Sequence, residues 1–288
     1  MTRASPALVW DCQCGTGETP TWDDQAETLY FCDIPAGRLH RFHPATEEKS
    51  TWQLPEVLGS FALCRSGRIL VCQKQKIMKY DIATETLEAF AGITEPDTNR
   101  LNDGKVGPDG CFWVSTINEG SDGLPSGNLY RVTPAGEVQI KVEGLKNGNG
   151  LAWTADGRTM YHSDTRGPWI DCWEFDPESG DIANRRRFAD VSNEEGRPDG
   201  GALDMEGVYW SAGSGMGVIN RFAPDGRLIE KVAMPIPNAT MPCFAGDRLY
   251  ITSAIPKDEE KRREFPTGGG LFVMPVEVRG VPVGRFAD

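Results

Sequence analysis

Short apolar runs recur along the chain, each closed by a turn rich in Gly, Asp or Asn. Residues 147–164 show the unit: polar Asn149, the apolar run Leu151-Ala152-Trp153, the turn Ala155-Asp156-Gly157, then Met160-Tyr161 in a second run. An Asp-Gly pair between two apolar runs predicts a hairpin, because its turn needs positive φ angles that Gly and Asp tolerate. The first turns of successive units fall near Asp24, Gly67, Gly110, Gly157, Gly207 and Asp247, at spacings of 43, 43, 47, 50 and 40 residues. Five units carry a second turn after a third run, at 44–46, 82–84, 134–136, 177–180 and 224–226, and a fourth run follows, as at 50–53 and 228–231.

Six repeats of four strands predict an all-β fold, a six-bladed β-propeller with four antiparallel strands per blade, spanning residues 1–288 as one domain. A lone four-stranded sheet leaves apolar faces bare, and packing blade on blade covers them. A sandwich of seven to nine strands cannot hold six such units. The sixth repeat lacks a clear fourth strand. Val281-Pro282-Val283 supplies one only as an edge, since Pro cannot donate to a ladder. Ala7-Leu8-Val9-Trp10 is the other candidate, so strands from both termini are expected to close the ring. The charged run 257–263 reads as a solvated excursion with about one helical turn.

Composition narrows the partners. The net charge is −12, which argues against nucleic acid and anionic membranes. Met1 to Val9 has no apolar core of leader length, and no run approaches the ~18 apolar residues of a membrane span. A cytoplasmic location is expected, with the eight Cys reduced and buried as small hydrophobes. Cys12-Gln13-Cys14 has no second pair at zinc-binding spacing.

The candidate chemistry comes from register. In a propeller the innermost strand of each blade starts at one end of the central channel. Four residues back from the central apolar residue of each first run stand Glu18, Gly59 (beside Ser60), Asn102, Asn149, Asp199 and Thr240. Two carboxylates and two carboxamides on one mouth are costly as isolated buried groups, and a bound cation removes the cost. Oxygen donors suit a divalent ion such as Ca2+, Mg2+ or Mn2+, with Zn2+ or Fe2+ also open. No His falls in this register.

These motifs also carry a family likeness. Gly17-Glu18-Thr19-Pro20-Thr21-Trp22, Asn99-Arg100-Leu101-Asn102-Asp103-Gly104-Lys105, Asn149-Gly150-Leu151-Ala152-Trp153 and Arg197-Pro198-Asp199-Gly200 resemble the senescence marker protein, gluconolactonase and regucalcin-like family of propeller lactonases, over essentially the whole chain. The resemblance implies one divalent metal held by Glu18, Asn149 and Asp199. It implies substrate binding by Arg100 and Asn102, with Glu119 in a substrate-contacting loop. Asp103 is read as ordering its loop. The expected reaction is hydrolysis of a sugar lactone, with Asp199 both ligand and general base toward water.

Two other readings stay open: a cation-binding propeller without catalysis, and an organophosphate or aryl ester hydrolase, whose relatives usually add a His near the metal. Loops 117–126, 165–169 and 213–217 are expected to choose among gluconolactone, xylonolactone, arabinolactone and a lactone with an anionic C6 group. Gly213-Ser214-Gly215-Met216-Gly217 lacks the Lys of a phosphate loop. A closed ring exposes few strand edges, so a monomer is expected. His162 reads as an ordinary strand residue and 185–187 as an outer-edge cluster.

Overall fold

The computed structural model describes residues 5–288. Residues 1–4, part of the stretch read as lacking a leader, lie outside them. Six four-stranded antiparallel sheets form the propeller, and in five of them the strands follow chain order outward from the channel. The innermost strands are Gly17–Asp23, Phe61–Leu63, Asn99–Val106, Gly148–Trp153, Arg197–Leu203 and Ala239–Ala245. They pack on one another around the axis. Blade 6 takes Ala7–Trp10 as its outermost strand, paired antiparallel to Leu271–Pro275. The N-terminal candidate therefore closes the ring.

Val281-Pro282-Val283 has a different task. After Pro275 the chain crosses the far end of the channel without joining a sheet. Val281 donates its N–H to Leu203 of blade 5 (2.8 Å), Arg285 pairs with Asp23 of blade 1, and Phe286 donates to Leu63 of blade 2 (2.8 Å). A cavity of about 650 Å³ lies under this crossing, lined by Trp22, Trp153 and Phe244. It stands at the first-turn end, opposite the mouth where the inner strands begin.

Six apolar clusters fill the six gaps between blades, rather than one central core. Between blades 3 and 4, for example, Trp113, Leu129 and Leu145 meet Leu151, Trp153 and Phe175. All eight Cys are free, and seven are buried, as expected. The turns bear out the repeat: Gly67, Gly110, Gly157 and Gly207 all take φ between 68° and 87°, the left-handed region open to Gly. The charged run forms the short helix Glu259–Glu264, capped by Asp258. The cluster 185–187 sits on the outermost strand of blade 4, where Arg185 and Arg187 clamp Asp171.

Candidate active site

The channel mouth is shaped by one repeated irregularity. Five of the six inner strands slip register against their neighbours at the candidate positions: between Glu18 and Thr21, Leu101 and Gly104, Asn149 and Ala152, Pro198 and Gly201, and Ala239 and Met241. A β-bulge adds a residue to one strand and re-aims the side chains around it. Glu18 and Asn149 are the last paired residues before their bulges, whereas Asn102, Asp199 and Thr240 lie within theirs. In the first and fourth blades the next residue is left-handed, Thr19 at φ 50° and Gly150 at φ 68°. A β-branched residue there is an outlier, held by surrounding packing. Thr19 also donates its N–H to Glu18 Oε2 (2.9 Å).

Blade 2 contributes no side chain to this register. A Cβ on Gly59 would stand 2.2 Å from the carbonyl oxygen of Leu101. The register place is filled by the close approach of blade 3.

The predicted substrate residues form one connected group. Arg100 donates from Nε to Glu119 Oε1 (2.8 Å) and from a terminal nitrogen to Asn102 Oδ1 (2.9 Å). Asn102 Nδ2 then donates across to blade 4, to Asn147 Oδ1 and the Gly148 carbonyl (both 3.1 Å). Asn149 donates to Thr165 Oγ1 (2.7 Å), which leaves its Oδ1 toward the Asn102 amide at 3.5 Å. Thr240 turns away from this group and donates to the Gly17 carbonyl (2.5 Å).

Charge gathers beneath. Glu18, Asn102, Asp103, Asn149 and Lys105 are all buried. Burial pushes the Glu18 carboxyl well above the usual carboxylate range, with Asp199 and Asp103 pushing it further. Asp199 is pushed up to about 8, first by burial and then by the charge of Asp103. Burial also raises Asp103, against the opposing charge of Lys105, and lowers Lys105.

Sequence reasoning assigned Asp103 to its own loop and passed over Lys105. The structure sets Asp103 between blades: Oδ2 accepts the N–H of Leu151 (3.3 Å), and Oδ1 has no partner. Lys105 Nζ donates to the Gly201 carbonyl of blade 5 (2.7 Å). The one available signal was the run Asn102-Asp103-Gly104-Lys105, four residues with no apolar side chain inside a strand that the repeat places at the channel.

A cation suits these groups. Two buried carboxylates, Glu18 and Asp103, face Lys105 with the half-buried Asp199 beside them, one Asp103 oxygen is unpartnered, and the donors are hard oxygens. Among the described residues, no group of three or more His, Cys, Asp or Glu side chains is placed to hold a metal ion. The expected set has two carboxylates, Glu18 and Asp199, and takes its third donor from the Asn149 carboxamide. His162 is buried and held neutral, its pKa lowered to about 3, and neither ring nitrogen has a partner.

Fold, bulged ring and motifs together define a lactonase-type six-bladed propeller, and residues 16–255 match the SMP-30/Gluconolactonase/LRE-like region. The chain belongs to that family. It is 37% identical over 279 residues to the 6-deoxy-6-sulfogluconolactonase of Pseudomonas putida, covering 94% of each chain. It is 30% identical over 284 residues to regucalcin of Xenopus laevis, again covering 94% of each. The crystal structure of a calcium-binding regucalcin from Agrobacterium tumefaciens superposes with a TM-score of 0.92 at 27% identity, over 99% of this chain and 98% of that one. Among the described residues no helix is long and apolar enough to cross a membrane.

Proposed function

We propose that the chain hydrolyses a sugar lactone at this mouth, with one divalent cation held by Glu18, Asn149 and Asp199. The observation that supports it best is the joining of two groups at one ring of bulges: buried oxygen donors, and the hydroxyl-binding set Arg100, Asn102 and Glu119. The chemistry such a cation supplies is polarisation of an ester carbonyl. The rest falls to the chain's own residues. Arg100 stays protonated and acts as a forked donor to ring hydroxyls. Glu119 keeps its guanidinium aimed, and Asn102 fixes it from the other side. Asp199 takes a proton from the water that adds to the carbonyl carbon. It returns that proton to the ring oxygen as the ester bond breaks, leaving the open-chain acid. The related sulfogluconolactonase supports this reading.

A second reading has its own support. A related structure is described as a calcium-binding protein, and the oxygen donors at the mouth suit a cation whether or not turnover follows. A cation-binding propeller without turnover needs Glu18, Asn149 and Asp199 but not Arg100.

Proton release from glucono-1,5-lactone, read above the spontaneous rate, separates the two. Chelated protein with single metals restored is compared with Asp199→Ala. Turnover should need a metal and fall about 10²- to 10⁴-fold in the variant, the usual worth of general-base assistance. If a cation binds by calorimetry while lactones and aryl esters stay at the blank rate, the binding reading stands. Turnover of aryl esters alone would favour the organophosphate or aryl ester hydrolase.

A further inference from the structure

On the mouth face, beside the ring, a cavity of about 570 Å³ opens between blades 4 and 5. Its lining includes Arg166 and Arg197, with Thr165, Ser192, Asn193 and Ser214 as further donors. Arg166 stands in the turn between the second and third strands of blade 4. From there it reaches toward blade 3 and donates to the carbonyl of Asn118 (2.7 Å). Arg197 begins the inner strand of blade 5, two residues before Asp199. Their backbones therefore stand no more than about 7 Å apart, the scale of one sugar ring with its exocyclic carbon.

Neither guanidinium is neutralised. Among the described residues no carboxylate pairs with Arg166 or Arg197. Two acids near them in sequence, Asp164 and Glu195, are committed elsewhere. Asp164 accepts the backbone N–H groups of Lys146, Asn147, Arg166 and Gly167. Glu195 accepts from Ser192 and pairs with Lys231 (3.1 Å). Arg100 differs, because Glu119 answers its charge at 2.8 Å. On a chain of net charge −12, two unanswered guanidinium groups at one cavity mark a place for an anion.

We infer that this cavity is an anion subsite, and that the preferred lactone carries a sulfonate, phosphate or carboxylate at the end remote from its ester. This rests on the lactonase reading for its catalytic consequence. Arg166 and Arg197 grip the remote anion from two blades, and the neutral ring lies over Arg100 and Asn102. The forked donors of Arg suit all three oxyanions.

The test compares kcat/KM for neutral glucono-1,5-lactone with that for lactones bearing a 6-sulfonate, a 6-phosphate or a 6-carboxylate. Wild type is expected to favour at least one anionic lactone by 10-fold or more, with a preference that shrinks as salt rises. In Arg197→Gln that preference should fall at least 10-fold, and Arg197→Glu should reverse it. Ranking the three anions identifies which oxyanion the cavity takes. Equal rates for neutral and anionic lactones in wild type, or equal losses for both in Arg197→Gln, would overturn the subsite. Calorimetry with gluconate and 6-phosphogluconate reads the same cavity without turnover. If no lactone is hydrolysed, the lactonase reading fails. The subsite then stands only if 6-phosphogluconate binds 10-fold tighter than gluconate in wild type and not in Arg197→Gln.

Discussion

Burial and the charge of Asp103 push the Asp199 carboxyl up to about 8, and that has a consequence for stability. In an unfolded chain an Asp carboxyl titrates near ~3.9. Between those two values the folded, cation-free protein binds more protons than the unfolded one. Stability is then lost as pH rises from about 4 through about 8. Glu18 and Asp103 are raised as well and act in the same direction. A bound cation takes the proton's place and should flatten this slope. Below about pH 7 the buried His40 and His162, lowered to about 4 and about 3, oppose this trend, so melting curves of chelated protein should fall in midpoint between pH 7 and pH 8. Saturating Ca2+ or Zn2+ should recover most at the highest pH. A chelated protein whose midpoint rises over that range would contradict the electrostatics.

At the scale of the element, the inner strand does two jobs that conflict. A regular strand alternates its side chains between two blade interfaces. The bulges at Glu18, Asn102, Asn149 and Asp199 break that alternation at the channel mouth and hold the site residues there. Blade 2 shows the other outcome, where Gly59 lets the backbone of Leu101 come close. Gly59→Ala would drive a methyl into that carbonyl, an atom of main chain that cannot swing aside. Overpacking of this kind costs roughly 1–3 kcal/mol. Chemical denaturation should show that loss, and on the proposed lactonase reading KM for a lactone should rise because the bulge at 102–103 moves with it. An unchanged midpoint would mean that blade 2 can retreat without strain.

For the whole molecule, the decisive contact is the closure. Trp10 lies on the outer strand of blade 6 but packs edge-on against Phe31 (5.4 Å) and His40 (5.1 Å) of blade 1. It joins the first and last blades through side chains as well as through the strand it belongs to. Trp10 is half-buried, so Trp10→Ala should cost on the order of 2 kcal/mol, half of the roughly 3–5 kcal/mol of a core Trp. Its effect should be larger than that of truncating the exposed Leu8 on the same strand, measured by urea unfolding. Equal costs for the two would place the closure in the backbone ladder alone.

The sequence alone determined the repeat, the number of blades, the two candidate closing strands and the register of Glu18, Asn102, Asn149 and Asp199. It could do so because hairpin turns and strand alternation are local, and local chemistry repeats visibly along a chain. Tertiary structure decided what depends on two segments meeting. It chose Ala7–Trp10 over Val281-Pro282-Val283 as the closing strand. It set Asp103 and Lys105 among the acids, because Asp103 in the bulge and Lys105 beyond it both reach neighbouring blades. It also brought Arg166 and Arg197 to one cavity from a turn and a strand start 31 residues apart in the chain. A charge left unanswered is a property of surroundings, and surroundings exist only once the ring has closed.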